Sequence, residues 1–460
     1  MISDNIILAT DSYKQSHHAM YQPGTEVVSS YFESRAGGEY PYCVFFGLQY
    51  LMDEHLSGAH RVTPAMIDEA EDLCRWHFGQ ELFNRRGWEH VVSAHDGRLP
   101  VSIRAAPEGS VIPESNVLFT IENTDPDCAW LTNHLETLLV QLWYPCTVAT
   151  VSREQKRTLK SALEKSGNPD NLAFMLHDFG YRGSSSSESA ALGGAAHLVN
   201  FKGTDTIAGL RLLMAHYAAE EPGYSVPAAE HSTITAWGED GELDAYRHIL
   251  NRFHSGTVAV VSDSWNIFEA CRQLWGRELR DEVADNRERT LVVRPDSGEP
   301  ERVVVECLSI LGEQFGHSVN GKGYKVLPDH VRLIQGDGIT RHSLPGLCDA
   351  ITGAGWSMDN MVFGSGGGLL QDCDRDTLRF ALKCNWVQVA GVQRDVFKRP
   401  ASDPAKNSKS GALKLVRTGK GFRTVGICEN SEPDVLREVF RDGEVLVRDS
   451  LDAIRNRADL

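Results

Sequence analysis

The 460-residue sequence lacks the features that mark several large classes of protein. It has no apolar run long enough to span a membrane and no basic, apolar leader, so we expect a cytoplasmic protein with no membrane partner. Positive charge is in the minority, with 46 Lys and Arg against 63 Asp and Glu and a net charge of −17. Because this charge repels phosphate backbones, nucleic acid is not an expected partner.

Closely spaced cysteines are missing as well. The ten cysteines contain no Cys-x-x-Cys, which argues against a zinc site and for reduced thiols. The chain also has no fixed-period repeat, Gly-x-Ser-x-Gly elbow, Walker loop, His-Glu-x-x-His or dinucleotide fingerprint. The length and a composition of 41% hydrophobic and 24% charged residues indicate a folded protein of two domains.

The most distinctive stretch is the segment 361–369, an apolar run that enters the glycine-rich loop Gly364-Ser-Gly-Gly-Gly368. Without Cβ atoms, the backbone N–H groups of this loop can converge on an anion. A helix that begins near Leu369 would add its positive end. The stretch predicts a phosphate site, and a tight turn that binds nothing is the alternative.

Three earlier segments have the same form, an apolar run that ends in a small-residue turn with an aspartate. The aspartates are Asp263, Asp296 and Asp337, and helix-like stretches lie between them at 265–279 and 301–315. This order is typical of parallel β/α units, which bind ligands at the carboxyl ends of their strands. We therefore expect the three carboxylates and the glycine-rich loop on one rim, where they would hold Mg²⁺ or ribose hydroxyls.

Other strand candidates extend this pattern in both directions. Three precede it and end at Asp178, Asp205 and His231, and a possible last strand covers 382–389. With about eight candidates, the expected fold is α/β, with an irregular barrel of β/α units.

The domain boundaries follow from a change in pattern. Residues 1–150 combine antiparallel strands with flanking helices, unlike the later parallel units. We expect them to form a second, α+β domain, completed by 385–460, and we assign the barrel to 151–384.

Several side chains at the predicted rim suit a flat ligand that carries phosphate. Phe179 could stack on a ring, and Arg182 could pair with phosphate. The carboxylate of Asp205 would accept hydrogen bonds from an amide and repel an acid, although a structural turn residue is the usual role. His231 could be a general base, a phosphate acceptor or a satisfied polar residue, and the sequence alone favours the last.

Basic residues follow the glycine-rich loop. Arg375 and Lys383 could neutralise a second phosphate at the rim. The run 398–414 is basic and polar, which is typical of a solvated surface loop; a mobile cationic flap is the competing interpretation. The basic residues of this run are Lys398, Arg399, Lys406, Lys409 and Lys414.

Seven motifs, in this order, resemble the nicotinamide phosphoribosyltransferase family, of the type II phosphoribosyltransferases. The likeness runs from about residue 6 to the C-terminus. The motifs are Ala9-Thr-Asp-Ser-Tyr-Lys14, His177-Asp-Phe-Gly-Tyr-Arg-Gly183, Phe201-Lys-Gly-Thr-Asp-Thr206, Val226-Pro-Ala-Ala-Glu-His-Ser232, Arg294-Pro-Asp-Ser-Gly298, Gln335-Gly-Asp-Gly338 and Phe363-Gly-Ser-Gly-Gly-Gly-Leu-Leu-Gln371.

The resemblance implies condensation of nicotinamide with phosphoribosyl pyrophosphate to nicotinamide mononucleotide and pyrophosphate, a step of NAD salvage. It implies Mg²⁺ as cofactor, ATP as coupling co-substrate, and a homodimer with active sites at the interface. His231 matches the histidine that ATP phosphorylates in this family.

The resemblance also implies roles for the other motif residues. Phe179 and the partner subunit's Tyr13 would sandwich the nicotinamide ring, Asp205 would bind its carboxamide, and Arg182 would lie near the amide and the product phosphate. The remaining roles are ribose and Mg²⁺ for Asp263 and Asp296 with Arg294 beside them, the 5-phosphate for Gly336, Asp337, Gly366 and Gly367, and the diphosphate for Arg35, Arg375, Lys383 and Lys398.

Two alternatives remain open. Nicotinate phosphoribosyltransferase shares the fold and the donor, and Asp205 is the discriminating residue because it would repel the carboxylate of nicotinate. A nucleotide-binding protein that keeps the scaffold without catalysis is the alternative from another class, and the complete set of expected catalytic residues weighs against it.

Overall fold

The computed structural model describes residues 5–402, 407–419, 421–429 and 431–459. The chain forms two compact units. Unit 1 contains the chain up to Thr150, Ala215–Ala219 and Cys373–Asp459, and unit 2 contains Val151–Met214 and Glu220–Asp372. The chain therefore returns to unit 1 at Cys373, ahead of the predicted 385.

The strands and helices are as follows. The strands are β1 (Thr25–Ser34), β2 (Tyr42–Val44), β3 (Val101–Ala105), β4 (Val111–Pro113), β5 (Val117–Asn123), β6 (Leu176–Asp178), β7 (Gly203–Thr204), β8 (Gly256–Val261), β9 (Arg289–Arg294), β10 (Ser318–Val319), β11 (Lys325–Val326), β12 (Val331–Gln335), β13 (Met361–Ser365), β14 (Phe380–Val389), β15 (Val392–Asp395), β16 (Leu413–Thr418), β17 (Gly421–Gly426), β18 (Arg437–Arg441) and β19 (Glu444–Val445). The α-helices are α1 (Leu48–Leu51), α2 (Pro64–Phe78), α3 (Arg85–His95), α4 (Leu131–His134), α5 (Glu136–Val140), α6 (Trp143–Ser166), α7 (Ser187–His197), α8 (Ile207–His216), α9 (His231–Thr235), α10 (Glu242–Arg252), α11 (Ile267–Glu269), α12 (Arg280–Ala284), α13 (Pro300–Phe315), α14 (Leu344–Gly353), α15 (Gly367–Leu370) and α16 (Leu451–Ala458). Short 3-10 helices cover Ile6–Leu8, Ser12–Ala19, Pro126–Cys128, Pro169–Phe174, Tyr181–Gly183, Glu239–Gly241 and Met358–Asn360, and π-helices cover Met52–Leu56 and Ala270–Glu278.

Unit 1 is built on a seven-stranded sheet in the order β15-β14-β1-β5-β3-β18-β19. The strand pairs are antiparallel, and β14 and β18 bring the C-terminal part of the chain against β1 and β3. Three buried aromatic rings cross the middle of this sheet: Phe32 stacks on Phe119 at 5.0 Å and on Phe380 at 5.2 Å between ring centroids. Stacked rings on three neighbouring strands fix the register of the two chain segments.

Unit 2 is built on a six-stranded parallel sheet in the order β7-β6-β13-β12-β9-β8. The segment 224–229 bonds to both of its edges. Tyr224 forms a parallel bridge with Gly203 on β7, and Ala228 forms one with Ala259 on β8. Because the same segment completes both edges, the sheet closes into an irregular barrel.

Alternate side chains of the barrel strands pack on opposite sides of the sheet, and both sides are apolar. This explains why the strands are apolar along almost their whole length. On β9, Leu291 and Val293 pack outward in the main core of unit 2, which the helices cover. Val292 between them packs instead with Ala259 and Ile334 in a small separate cluster. Ala259, Val292 and Ile334 line a cavity that remains inside the barrel.

Two predicted elements differ in the structure. The segment 382–389 was a candidate barrel strand, and this prediction is wrong: it lies in β14, which pairs antiparallel with β1 in unit 1. The helix predicted for 265–279 is a short α11 followed by the π-helix Ala270–Glu278. An apolar run shows that a strand forms but not which strand it will pair with.

Candidate active site

The turns after the barrel strands surround a cavity of about 720 Å³. Ten of the residues selected from the sequence line it, and they come from six different turns. They are Phe179, Arg182, Asp205, His231, Arg294, Asp296, Gly336, Asp337, Gly366 and Gly367. The parallel register explains why they meet, since it places all the carboxyl ends of the strands at one end of the barrel.

The Phe179 ring is packed against glycines at the ends of β12 and β13. A Cβ on Gly364 would lie 2.1 Å from Cε2 of Phe179, and one on Gly336 would lie 3.2 Å from the same atom. Gly364 and Ser365 are part of β13, so the predicted loop is shorter than expected and Gly364 makes room for the ring. Gly366 and Gly367 are the glycines that line the cavity.

The turn that carries Phe179 is anchored by a buried carboxylate. Asp178 accepts hydrogen bonds from the backbone N–H of Gly180 at 2.7 Å and from the hydroxyl of Thr204 at 3.3 Å. Burial raises the pKa of Asp178, against the opposing effect of these hydrogen bonds. Gly183, further along the same turn, has no Cβ; a Cβ there would lie 3.0 Å from the backbone nitrogen of Gly367. The turn after β6 can therefore lie against the glycine turn after β13, and we call these two the phosphate-side turns.

Asp205 presents an ionised carboxylate to the cavity. Its Oδ1 accepts a hydrogen bond from the hydroxyl of Ser225 and lies 3.5 Å from Nε2 of His177. Burial opposes ionisation, but the hydrogen bonds from His177 and Ser225 and the charge of Arg294 outweigh it and hold the pKa of Asp205 below its ordinary value. A carboxylate of this kind accepts hydrogen bonds from an amide and repels another carboxylate.

His231 begins α9 and forms a network with the aspartates of two neighbouring strand ends. Its Nε2 lies 3.0 Å from Oδ1 of Asp263, and its Nδ1 lies 4.0 Å from Oδ2 of Asp296. Arg294 donates a hydrogen bond from Nη2 to the same oxygen of Asp296 at 3.3 Å. The Asp263 side chain is almost fully buried, whereas the imidazole is 45% exposed. Asp263 therefore orients a histidine that remains open to a ligand.

The acidic side of the cavity suits a cation. Burial raises the pKa of Asp296, and the charges of Asp263 and Asp337 raise it further, against the opposing effects of Arg294 and His231. A divalent cation would relieve this repulsion between carboxylates. Two carboxylates with substrate phosphates and water are a usual coordination set for Mg²⁺, so these residues fit that ion.

A second cavity of about 310 Å³ extends into the barrel. Phe179, Asp205 and Arg294 line both cavities, so they mark the point where the outer, more polar space meets the inner, more apolar one. The inner walls include Val292 and Ile334 of the small inner cluster. A flat ring that carries one polar group suits this junction.

The remaining predicted site residues lie in unit 1. The ring of Tyr13 is exposed in a 3-10 helix. Lys383 lies on β14, where burial lowers the pKa of its ammonium group. The nearby charges of Arg35, Lys398 and Arg375 lower this pKa further, while Glu136 opposes them. The charges of the other three predicted diphosphate ligands thus reach Lys383, and we call these four residues the cationic group. Their place after the glycine-rich loop had suggested that Arg375 and Lys383 belong to the barrel. Both instead lie in unit 1.

Two of the basic residues after 398, Lys409 and Lys414, contact other parts of unit 1. Lys409 pairs with Glu33, and its backbone N–H donates to the hydroxyl of Tyr31. Lys414 is buried on β16 and donates to the carbonyl of Glu432 at 3.0 Å. Lys406 lies outside the described residues.

Sequence reasoning missed several residues of the cavity. Glu230 and Ser232 flank His231 and line the outer cavity, as do Tyr181 and Thr206. Ser225, which bonds to Asp205, comes from the segment that closes the barrel. Its distance from Asp205 along the chain hides the contact, although Tyr181, Glu230 and Ser232 lie within motifs and could have been selected.

Solved structures with similar folds place the chain in a class. A nicotinate-nucleotide pyrophosphorylase from Pyrococcus furiosus superimposes with a TM-score of 0.64 at 16% identity, over 100% of this chain and 96% of that chain. Human nicotinic acid phosphoribosyltransferase gives a TM-score of 0.58 at 15% identity, over 98% of this chain and 92% of that chain. The barrel, its rim and the additional sheet unit define a type II phosphoribosyltransferase fold.

The family follows from the sequence matches. The model of the nicotinate phosphoribosyltransferase family matches residues 174–444, and that of the nicotinamide phosphoribosyltransferase N-terminal domain matches residues 5–103. The chain belongs to the nicotinate phosphoribosyltransferase family and is a pentosyltransferase.

Two relatives are similar over nearly their whole length. A protein of Xanthomonas campestris named nicotinamide phosphoribosyltransferase is 50% identical over 468 residues, which cover 99% of this chain and 98% of that protein. A protein of the same name from Acinetobacter baylyi is 32% identical over 491 residues, which cover 98% of this chain and 97% of that protein.

Within the described residues, we find no helix that is both long and apolar enough to cross a bilayer.

The contact between Gly364 and Phe179 predicts a strong coupling between these positions. Gly364→Ala should lower the free energy of unfolding by about 1–3 kcal/mol, because its Cβ overlaps the ring. In a Phe179→Ala background the same change should cost much less. Denaturant unfolding of the four members of this double-mutant cycle measures the coupling.

Gly353→Ala is the matched control, since a Cβ there meets nothing within 4 Å. Equal costs of Gly364→Ala with and without the Phe179 ring would contradict this packing.

Proposed function

We propose that this chain condenses nicotinamide with phosphoribosyl pyrophosphate to nicotinamide mononucleotide and pyrophosphate, in NAD salvage. The observation that carries the proposal is the ionised carboxylate of Asp205, which lines both cavities together with the Phe179 ring. The names of the two relatives support the same substrate.

The nicotinamide ring lies on Phe179, and its carboxamide donates to Asp205. Ser225 and His177 both approach Oδ1 of Asp205, which leaves Oδ2 to accept from the carboxamide. Nicotinate would instead bring a second carboxylate to this point, at a cost in binding free energy. The exposed ring of Tyr13 is available to a second copy of the chain, so the partner subunit's Tyr13 covers the other face of the nicotinamide.

The phosphates of the donor bind in two regions, one rich in backbone N–H groups and one rich in positive side chains. The 5-phosphate binds at the small turns that contain Gly336, Asp337, Gly366 and Gly367, with Arg182 beside them. The diphosphate is neutralised by the cationic group of unit 1, which a second copy supplies in a homodimer: Arg35, Arg375, Lys383 and Lys398. Burial lowers the pKa of Lys383, and the charges of Arg35, Lys398 and Arg375 lower it further; a bound anion would relieve this crowding of positive charge.

The reaction needs charge neutralisation more than proton transfer. The lone pair of the pyridine nitrogen forms the new bond to ribose C1, and the C1–O bond to pyrophosphate breaks with its electron pair. No proton moves, so the residues act by holding the ribose and stabilising the leaving group. Asp263, Asp296 and Arg294 hold the ribose hydroxyls, and Mg²⁺ bound near the two carboxylates would neutralise the diphosphate.

His231 couples ATP hydrolysis to this synthesis through a phosphohistidine. Asp263 holds the proton on Nε2, which leaves the lone pair of Nδ1 as the nucleophile. Nδ1 attacks the γ-phosphorus of ATP, and ADP leaves with the electron pair of the broken P–O bond. The phosphorylated ring then carries negative charge at the cavity, where it helps to order the diphosphate and Mg²⁺. Water finally cleaves the N–P bond, which releases inorganic phosphate and restores the neutral imidazole.

One assay tests the substrate. Mononucleotide formation is measured with phosphoribosyl pyrophosphate, Mg²⁺ and either nicotinamide or nicotinate. Asp205→Asn should lower the ratio of kcat/KM for nicotinamide over nicotinate by roughly 10- to 100-fold, because a charge-assisted hydrogen bond contributes about 1.5–3 kcal/mol. The control Asp240→Asn removes an exposed carboxylate of unit 2 and should keep the ratio.

Product from nicotinate alone in the wild type would favour the nicotinate-specific enzyme, which the name of the matched family keeps as the second candidate. No product from either base would favour a binding protein without catalysis.

The phosphohistidine has its own test. His231→Ala should keep basal synthesis but make the rate with ATP equal to the rate without it. Acid-labile phosphate from γ-labelled ATP should appear on the wild type and on the control His248→Ala, an exposed histidine of unit 2, but not on His231→Ala. ATP stimulation that survives in His231→Ala would remove this role.

A further inference from the structure

Three side chains of unit 1 direct ligand-type atoms at one point, and none of them lines either cavity of the barrel. Nε2 of His90 lies 2.8 Å from Oδ2 of Asp125, and Nε2 of His95 lies 2.6 Å from the same oxygen. The three atoms all lie within 4.8 Å of one another.

The carboxylate is held in place by its own turn. Asp125 precedes the 3-10 helix Pro126–Cys128, and its Oδ1 accepts a hydrogen bond from the backbone N–H of Asp127 at 2.9 Å. Its carbonyl accepts from Nδ2 of Asn123 at 2.8 Å. These bonds fix one oxygen of the carboxylate and direct the other, Oδ2, at the histidines. Such fixed outer contacts are typical of metal ligands.

The end of α3 allows the two histidines to approach the same oxygen. Residues five apart lie on different faces of a continuing helix. His95 is the last residue of α3, and Asp96 follows it with a φ of 55°, so the chain turns there. His95 is thereby free to lean towards the Asp125 oxygen that His90 also reaches.

We propose that His90, His95 and Asp125 bind Zn²⁺. Two imidazole nitrogens and a carboxylate oxygen are a usual donor set for this ion. Zinc bonds of about 2.0 Å in tetrahedral geometry place neighbouring ligand atoms roughly 3.3 Å apart. The two short pairs would open by about half an ångström, which side-chain rotation allows.

The geometry leaves a fourth position for water or a further carboxylate. Oδ2 of Asp127 lies 3.9 Å from Nε2 of His90, and its side chain is exposed. The three ligands are partly exposed, so the ion can enter from solvent. Bound there, zinc joins the end of α3 to the turn after β5. It stabilises unit 1 and takes no part in catalysis.

Zinc binding to the metal-stripped full chain tests the proposal, by competition with a chromophoric chelator. We expect one saturable site per chain, and a visible Co²⁺ spectrum of the tetrahedral type. Even the loss of an outer-sphere partner costs roughly 10- to 100-fold in metal affinity, so His90→Gln, His95→Gln and Asp125→Asn should each cost at least about 100-fold. Zinc should also raise the Tm of the wild type and not of these variants.

His77→Gln on α2 is the matched control for adventitious binding, since His77 is exposed and outside the group. It should bind zinc as the wild type does. Circular dichroism shows whether each variant is folded. His90→Gln keeps a side-chain donor for Asp125, so a loss of zinc affinity in this variant reflects the loss of a metal ligand and not of a hydrogen bond. Equal zinc affinity in the wild type and the three ligand variants, or no stoichiometric site in the wild type, would overturn the proposal.

Discussion

The parallel pairing of the unit 2 strands is the constraint on which the candidate active site depends. It places the turns after β6, β7, β8, β9, β12 and β13 at one end of the barrel, and each of these turns contributes to the site. The closing segment 224–229 adds Ser225 and leads into His231. Because Phe179 packs on Gly364 and Gly336, the ring has a fixed place relative to the phosphate-side turns. Backbone geometry thus sets the distances before any ligand arrives.

Electrostatics then gives the carboxylates of the site different roles. Asp205 is held ionised by its hydrogen bonds and by Arg294, which suits recognition of a neutral amide. The pKa of Asp296 is raised by burial and by its acidic neighbours, which suits a residue that would bind a cation. Asp178 is buried and serves the backbone of its own turn. In the proposed function, one residue type would support recognition, cation binding and architecture, and the surroundings of each aspartate would distinguish these roles.

The sequence predicted what depends on local pattern. The strand–turn–aspartate order located β8, β9 and β12, because the apolar run and its turn residues are contiguous. The pattern failed for 382–389, whose partner β1 lies far away in the chain. The pair of Lys409 with Glu33 could not be predicted either, since nothing near Lys409 in the sequence points to Glu33. The convergence of His90 and His95 on Asp125 was likewise invisible, because it depends on where α3 ends.

The central claim is that the strand ends define both the position and the orientation of a pyridine mononucleotide. A crystal structure of the chain with nicotinamide mononucleotide tests it most directly. We expect the pyridine ring on Phe179, the carboxamide on Asp205, and the phosphate at the turns of Gly336 and Gly366. A nucleotide bound in the reverse direction, or with its amide away from Asp205, would contradict the account.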